Sequence, residues 1–278
     1  MRLTTNEDRE AIREHLIETP RIALNGREAG SGPVAIFMHG ITAVGAVWDP
    51  ILDLTKGSFR SIAVDQRGHG RSGKPEGDYS AAAFADDALS LIETLDCGPA
   101  VLVGHSLGAR NAVVAAVRRP DLVSSVVAVD FTPFIEDDVF DTLESRVNGG
   151  NRPFDSVGDI ETYLQNRYVN LPPDAVRRRA KHGYRKVADQ YWPLADPDAM
   201  AGTAKGLRED LVVAFSEVTV PVVLVRGAHS KLVSLEAWET TKRLRPDMQA
   251  IQIDDTDHYV PEEAPEVVAA IVLSANGC

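Results

Sequence analysis

The sequence predicts an α/β protein, a mostly parallel, doubly wound sheet interrupted by a helical cap, and three observations lead there. Short runs rich in β-branched residues carry apolar side chains at consecutive positions, the pattern of strands covered on both faces. Longer amphipathic stretches alternate with them, as crossover helices do between parallel strands. One long segment in the middle of the chain carries no strand signal.

In chain order, "VAIFMHG" (34–40) and "SIAVDQRG" (61–68) read as the first core strands, followed by the helix "AAAFADDALSLIETL" (81–95). The strand "AVLVGHS" (100–106), the helix "LGARNAVVAAVRR" (107–119) and the strand "SSVVAVDFTP" (124–133) come next. Between 134 and 206 the text turns helical and rich in Arg, Asp and Tyr, which predicts a cap inserted into the core rather than an independent domain. The strand "VPVVLVRG" (220–227), the helix "LEAWETTKRL" (235–244), the strand "MQAIQIDD" (248–255) and the helix "PEVVAAIVLSA" (265–275) complete the pattern. The expected organisation is a core of 1–133 and 207–278 with a cap of 134–206. No repeat or low-complexity segment is present.

With 44% hydrophobic and 25% charged residues, the 278-residue chain can bury one large core and has the balance of an ordinary soluble protein. A net charge of −12 argues against nucleic acid or an anionic membrane as partner, because both demand basic patches. A small anionic substrate would need locally placed arginines. Cys97 and Cys278 give neither a disulfide framework nor metal-ligand spacing, and read as free thiols in a reducing compartment. The charged N-terminus lacks an apolar signal core and no run is long enough to span a bilayer, so a cytoplasmic location is expected.

The sharpest chemical signal is "GHSLG", Gly104–Gly108, lying between a strand and a helix. A serine at such a turn sits in strained backbone with its hydroxyl presented, and the flanking glycines let strand and helix approach closely. The alternative role for Ser106 is a simple helix N-cap. With this motif stand "HGITAVGAVW" (39–48) and "DQRGHGRS" (65–72), and over roughly residues 34–275 the chain resembles the α/β-hydrolase superfamily. That resemblance implies a serine nucleophile at Ser106. It also implies an oxyanion hole formed by the backbone N–H groups of Ile41 and Leu107, where fixed donors meet developing negative charge.

The general base is expected after the last core strand, where "DDTDHYVPEEAPEVV" supplies His258 before a loop and a helix, similar to the way the family presents its histidine. His105 points into the elbow, His69 lies in the Gly-rich turn, and His15 and His182 sit in charged text that reads as helical. His229 follows a strand end but lacks the strand-loop-helix sequel. The acid is less direct. Many family members carry an aspartate in the loop "VRGAHSKLVS" (225–234), and here Ser230 stands in that place. A histidine that accepts a proton from serine needs a carboxylate on its other nitrogen. Asp130 closes the strand after the nucleophile helix, on the carboxyl edge where open α/β sheets build their sites. Some members of the superfamily place the acid there. Asp254, Asp255 and Asp257 are too near His258 in sequence and read as a solvated turn, and Asp65 reads as structural. The expected triad is Ser106, His258 and Asp130, with no metal and no organic cofactor.

Helical spacing in the cap puts Arg146 on the apolar face of Val139, Phe140, Leu143 and Val147, and Arg167 on that of Ile160, Tyr163, Leu164 and Tyr168. An arginine on a buried face is costly unless it meets an anion, so both are expected to bind substrate carboxylates. The competing role is a guanidinium that reaches water or a neighbouring acid. "RRRAKHGYRK" (177–186) reads as a solvated face, with Arg177 bordering its apolar side. Within the superfamily the resemblance is to amidases of vitamin B6 degradation acting on an acetamido-substituted dicarboxylate. It implies an acetyl-enzyme, release of acetate, and breakdown of the enamine to ammonia, carbon dioxide and succinic semialdehyde. A carboxylesterase, lactonase or carbon–carbon bond hydrolase on the same fold is the alternative, and a catalytically inert ligand receptor a more distant one. A homodimer is left open.

Overall fold

A computed structural model of the chain describes residues 11–148 and 150–275. The chain enters through β1 (Arg13–Glu18) and β2 (Ala23–Gly30), then β3 (Val34–Met38), a 3-10 turn (Gly45–Trp48), α1 (Asp49–Thr55) and β4 (Arg60–Val64). α2 (Ala81–Leu95), β5 (Ala100–His105), α3 (Leu107–Arg118) and β6 (Val123–Val129) follow. The cap region holds α4 (Asp137–Asn148), α5 (Val157–Arg167), α6 (Pro173–His182), the hairpin β7 (Tyr184–Val187) and β8 (Gln190–Pro193), and α7 (Pro197–Gly206). α8 (Val212–Glu217), β9 (Val222–Gly227), α9 (Leu235–Leu244), β10 (Gln249–Ile253), α10 (Val260–Glu263) and α11 (Pro265–Ser274) complete the chain.

The eight-stranded sheet runs β1-β2-β4-β3-β5-β6-β9-β10. Every pairing from β4 to β10 is parallel, whereas β1 and β2 pair antiparallel at one edge. Strand residues alternate between two cores, as a period of two requires. Ile36, Met38, Leu102, Val126 and Leu224 pack with α2, α3 and α8 on one face. Ala35, Phe37, Val103, Val129 and Val225 pack with α1 and α11 on the other. Among the described residues no helix is long and apolar enough to cross a membrane.

Three sequence expectations need correction. His15 lies on β1, a strand and not helical text, and β2 is buried although it carries Asn25, Arg27 and Glu28. Its charges are paired: Arg27 forks onto Asp49 at 2.7 Å through Nε and Nη2, and Glu28 accepts from Arg60 at 3.0 Å. Pairing, which apolar periodicity cannot register, makes this strand possible. The cap contains the β7–β8 hairpin where only helix was expected. The run at 248–255 is an edge strand with most of its residues exposed, not one covered on both faces.

The close contact of α3 with the sheet depends on two glycines. A Cβ on Gly104 would lie 2.3 Å from the Gly108 backbone, and one on Gly108 would lie 2.1 Å from the Met38 carbonyl oxygen. Both obstacles are backbone, so relief requires the helix to move. Gly108→Ala should therefore lower stability by about 1–3 kcal/mol, a drop of several degrees in Tm for a chain of this size. An unchanged Tm in thermal unfolding would show that α3 can shift without cost.

Candidate active site

β5 ends at His105 and α3 starts at Leu107, leaving Ser106 alone in the turn with φ 53° and ψ −111°. That conformation is strained for a residue with a side chain. It is held because Ser106 N donates to the Val129 oxygen at 2.9 Å and because the glycines on either side bring helix and strand together. The Leu107 N–H opens α3, one of the helix-terminal donors without an intrahelical acceptor.

The register of β5 and β6 pairs His105 with Val129, so Ser106 and Asp130 emerge side by side at the carboxyl ends of adjacent strands. Asp130 has φ 47° and its N–H donates to the Val225 oxygen at 2.7 Å. Its side chain is fully buried, and three donors compensate it. His258 Nδ1 and Ser230 Oγ both reach Oδ2 at 2.6 Å, and Gly227 N reaches Oδ1 at 2.9 Å. Ser230 is thus a hydrogen-bond donor to the buried Asp130.

His258 follows β10 in a loop fixed from both sides. His105 Nε2 donates to the His258 carbonyl at 2.8 Å, and His258 N donates to Asp257 Oδ1 at 2.8 Å. Since Nδ1 faces a carboxylate, it carries the proton, which leaves the Nε2 lone pair free to accept another. Ser106 and His258 line the same two cavities, one shared with Asp130 and one with Ile41. The remaining histidines are placed elsewhere: His229 is exposed, 3.9 Å from Asp255, and His182 closes α6. Asp65 is buried under Asn25 and the Gly45 and Arg71 N–H groups, as a structural acid.

The loop after β3 carries Ile41 and Thr42, the latter at φ 64°. His39 supports it: Gln66 N donates to His39 Nε2 at 3.0 Å, so Nδ1 donates to the Gly40 oxygen at 2.8 Å. Burial pushes the pKa of His39 down to about 4, that of His69 to about 3, and that of His105 well below the ordinary value. All three are neutral structural groups.

The cap places cations over the site. Arg167 lines the cavity of Ser106 and His258 and donates to Tyr168 Oη at 3.0 Å and Tyr163 Oη at 2.9 Å. Arg146 lies on α4 with its side chain outside the described residues. Arg179 corrects the expectation of a solvated 177–186 face. It is buried while Arg177 is exposed, and its Nε donates to both Glu262 oxygens at 2.9 and 3.0 Å. Its guanidinium stacks on Tyr168 at 4.7 Å and Tyr259 at 5.0 Å. Burial works against the charge on Arg179, but Glu262 outweighs it and raises the pKa. Burial likewise raises the Tyr168 phenol, yet Arg179 and Arg167 bring its pKa below the usual tyrosine value. The signal for Arg179 was present in sequence, three residues after Val176 and four after Ala175 on the buried stripe of α6. Arg167, Tyr168 and Arg179 also line a cavity of about 230 Å³ beneath the cap, with Tyr163, Tyr184 and Met200.

A family model described as alpha/beta hydrolase fold matches residues 33–265. The chain is 53% identical over 258 residues, 93% of each chain, to 2-(acetamidomethylene)succinate hydrolase of Mesorhizobium japonicum. An esterase of Mycobacterium tuberculosis is 27% identical over 97% of this chain and 93% of its own. The crystal structure of an E-2-(acetamidomethylene)succinate hydrolase is similar with a TM-score of 0.94 and 50% identity, covering 96% of this chain and 100% of the other. A thioesterase domain of curacin biosynthesis, at TM-score 0.82 and 23% identity over 95% and 99% of the two chains, shares the fold.

Two outcomes are expected. Ser106→Ala and Asp130→Asn should each lower hydrolysis by about a thousandfold or more, whereas Asp255→Asn should change it by less than about threefold. Steady-state rates in which Asp130→Asn matches Asp255→Asn would remove Asp130 from the site. Acid should destabilise the fold through the three buried histidines. The unfolded chain protonates them near pH 6.5, while the folded chain keeps His39 neutral down to about 4 and His69 down to about 3 and holds His105 well below the ordinary value, so stability falls as pH drops below about 6.5, by at most about 4 kcal/mol per pH unit. A Tm that stays flat from pH 6.5 to 5 would contradict their buried, neutral state.

Proposed function

Because this chain belongs to the alpha/beta hydrolase family, we propose that it cleaves the amide bond of a small dicarboxylate, the substrate being (E)-2-(acetamidomethylene)succinate. The observation that carries this reading is the cavity shared by Ser106, His258, Arg167 and Arg179, which joins a nucleophile and base to guanidinium groups suited to carboxylates. The cytoplasm is its proposed location and vitamin B6 breakdown its pathway.

In the proposed reaction Ser106 Oγ attacks the acetamido carbonyl carbon as His258 Nε2 takes its proton. Asp130 stabilises the imidazolium through the Nδ1–H bond. The Ile41 and Leu107 N–H groups hold the oxyanion. Collapse breaks the carbon–nitrogen bond, His258 returns the proton to the leaving nitrogen, and Ser106 keeps the acetyl group. Water deprotonated by His258 then releases acetate. The enamine adds water, loses ammonia and then carbon dioxide, and leaves succinic semialdehyde. Arg167 receives a carboxylate of the substrate, and Arg146 is proposed to take part from α4. Arg179 contributes charge to the same wall, with Glu262 occupying its Nε and Nη2.

The test is incubation with (E)-2-(acetamidomethylene)succinate, which should yield acetate and succinic semialdehyde in equal amounts. Arg167→Ala should lower kcat/KM by about 2 kcal/mol or more, roughly thirtyfold, with Arg167→Lys restoring part of it. A neutral acetyl ester should lose far less. Absence of amide turnover, together with equal loss on charged and neutral substrates, would favour an esterase.

A further inference from the structure

α3 buries an arginine that the reaction above does not use. Arg110 lies four residues after Ser106, one helical turn below the elbow, and is only 3% exposed. Its Nη2 donates to the backbone oxygen of Glu209, and its Nη1 has no hydrogen-bond partner among the described residues. The side chain lines a cavity of about 40 Å³ together with Ser106, Asp130 and His258, whose other walls are apolar apart from Thr132, with Phe131, Leu143, Leu207 and Val233 among them. Among the described residues Asp130 is the one carboxylate in that wall, and His258, Ser230 and Gly227 already occupy it.

A guanidinium in such surroundings is expensive. A buried cation is ordinarily matched by a carboxylate, as Arg179 is by Glu262 and Arg67 by Asp87 in this same chain. Arg110 instead hydrogen-bonds a single backbone carbonyl; the charges of Glu209 and Asp210 favour its cation only through space, and burial outweighs them and pushes its pKa down to about 10, still charged at neutral pH. An arginine beside a nucleophile with no carboxylate hydrogen-bonded to it among the described residues gains a direct counterion when an anion occupies the cavity.

We propose that Arg110 forms a second carboxylate subsite in the cavity of Ser106, separate from the wall of Arg167 and Arg179. The inference rests on Ser106 being the nucleophile. The carboxylate comes either from the succinate portion of the substrate or from the acetate released, and the two sources can be told apart.

The experiment measures inhibition of p-nitrophenyl acetate hydrolysis by succinate and, separately, by acetate, in the wild type, Arg110→Met and Arg110→Lys. Inhibition constants are taken from fractional rates, so a change in a variant's own rate divides out. The expected result is an inhibition constant at least tenfold higher in Arg110→Met, partly restored in Arg110→Lys. An effect on succinate assigns the subsite to the substrate, and an effect on acetate alone assigns it to the product. The stabilisation of Tm by the same anions should shrink in parallel in Arg110→Met, a reading that needs no catalysis. Inhibition constants and anion-induced Tm shifts equal to wild type would overturn the proposal, as would a wild type that responds to neither anion. If Arg110→Met lowers Tm while leaving anion binding intact, Arg110 is a structural tie to Glu209 and the proposal fails. A protein that does not turn over (E)-2-(acetamidomethylene)succinate but binds succinate through Arg110 would remove the proposed function and leave this subsite standing.

Discussion

The site depends on one buried carboxylate. Asp130 sits where the carboxyl ends of β6 and β9 and the loop after β10 meet, and it accepts one hydrogen bond from each of the three segments around it: Gly227 at the end of β9, Ser230 just beyond, and His258 after β10. A carboxylate this deeply buried is tolerable only while those donors stay in place. Conversely, each donor is positioned by the same charge. The strained backbone at Ser106 and Asp130 follows from this geometry, since two adjacent parallel strands must turn sharply at the same level to bring hydroxyl and carboxylate to one edge.

Much of the central sheet could be read directly because its residues obey period two and its strands are apolar on both faces. The elbow could be read because Gly104 and Gly108 are dictated by backbone contacts that no other residue satisfies. Asp130 followed from topology, as an acid at the end of the strand next to the nucleophile. The edges were less legible. β2 is buried through paired charges, and β10 is an exposed edge whose apolar content suggested more cover than it has. In the cap, helical spacing brought out Arg167, but the choice of Arg177 over Arg179 failed. One residue on a helix changes direction by 100°, and the apolar stripe of α6 is short and built from Ala175, Val176 and Ala180. Arg110 escaped notice because an arginine in an alanine-rich helix reads as a surface residue, and only packing against the cap region encloses it.

The cations around Ser106 differ in how they are balanced. Arg179 is held by a carboxylate and by two aromatic faces, Arg167 donates to phenol oxygens among its contacts, and Arg110 donates to one carbonyl with Glu209 and Asp210 acting through space. A chain of net charge −12 thus still places, among the described residues, three arginines around the cleft of Ser106, two of its neighbouring carboxylates, Asp130 and Glu262, being already engaged.

The ion pair between Arg179 of α6 and Glu262 of α10 has a consequence for His258. It ties the roof over the site to the segment four residues past His258, deep in the protein. Leaving one member of a buried pair of this kind without its partner costs about 3–5 kcal/mol, so the roof and that segment are held together. The tie runs beside the 230 Å³ cavity, whose wall includes Arg179 itself. The same tie that closes the roof therefore also braces the loop that carries His258.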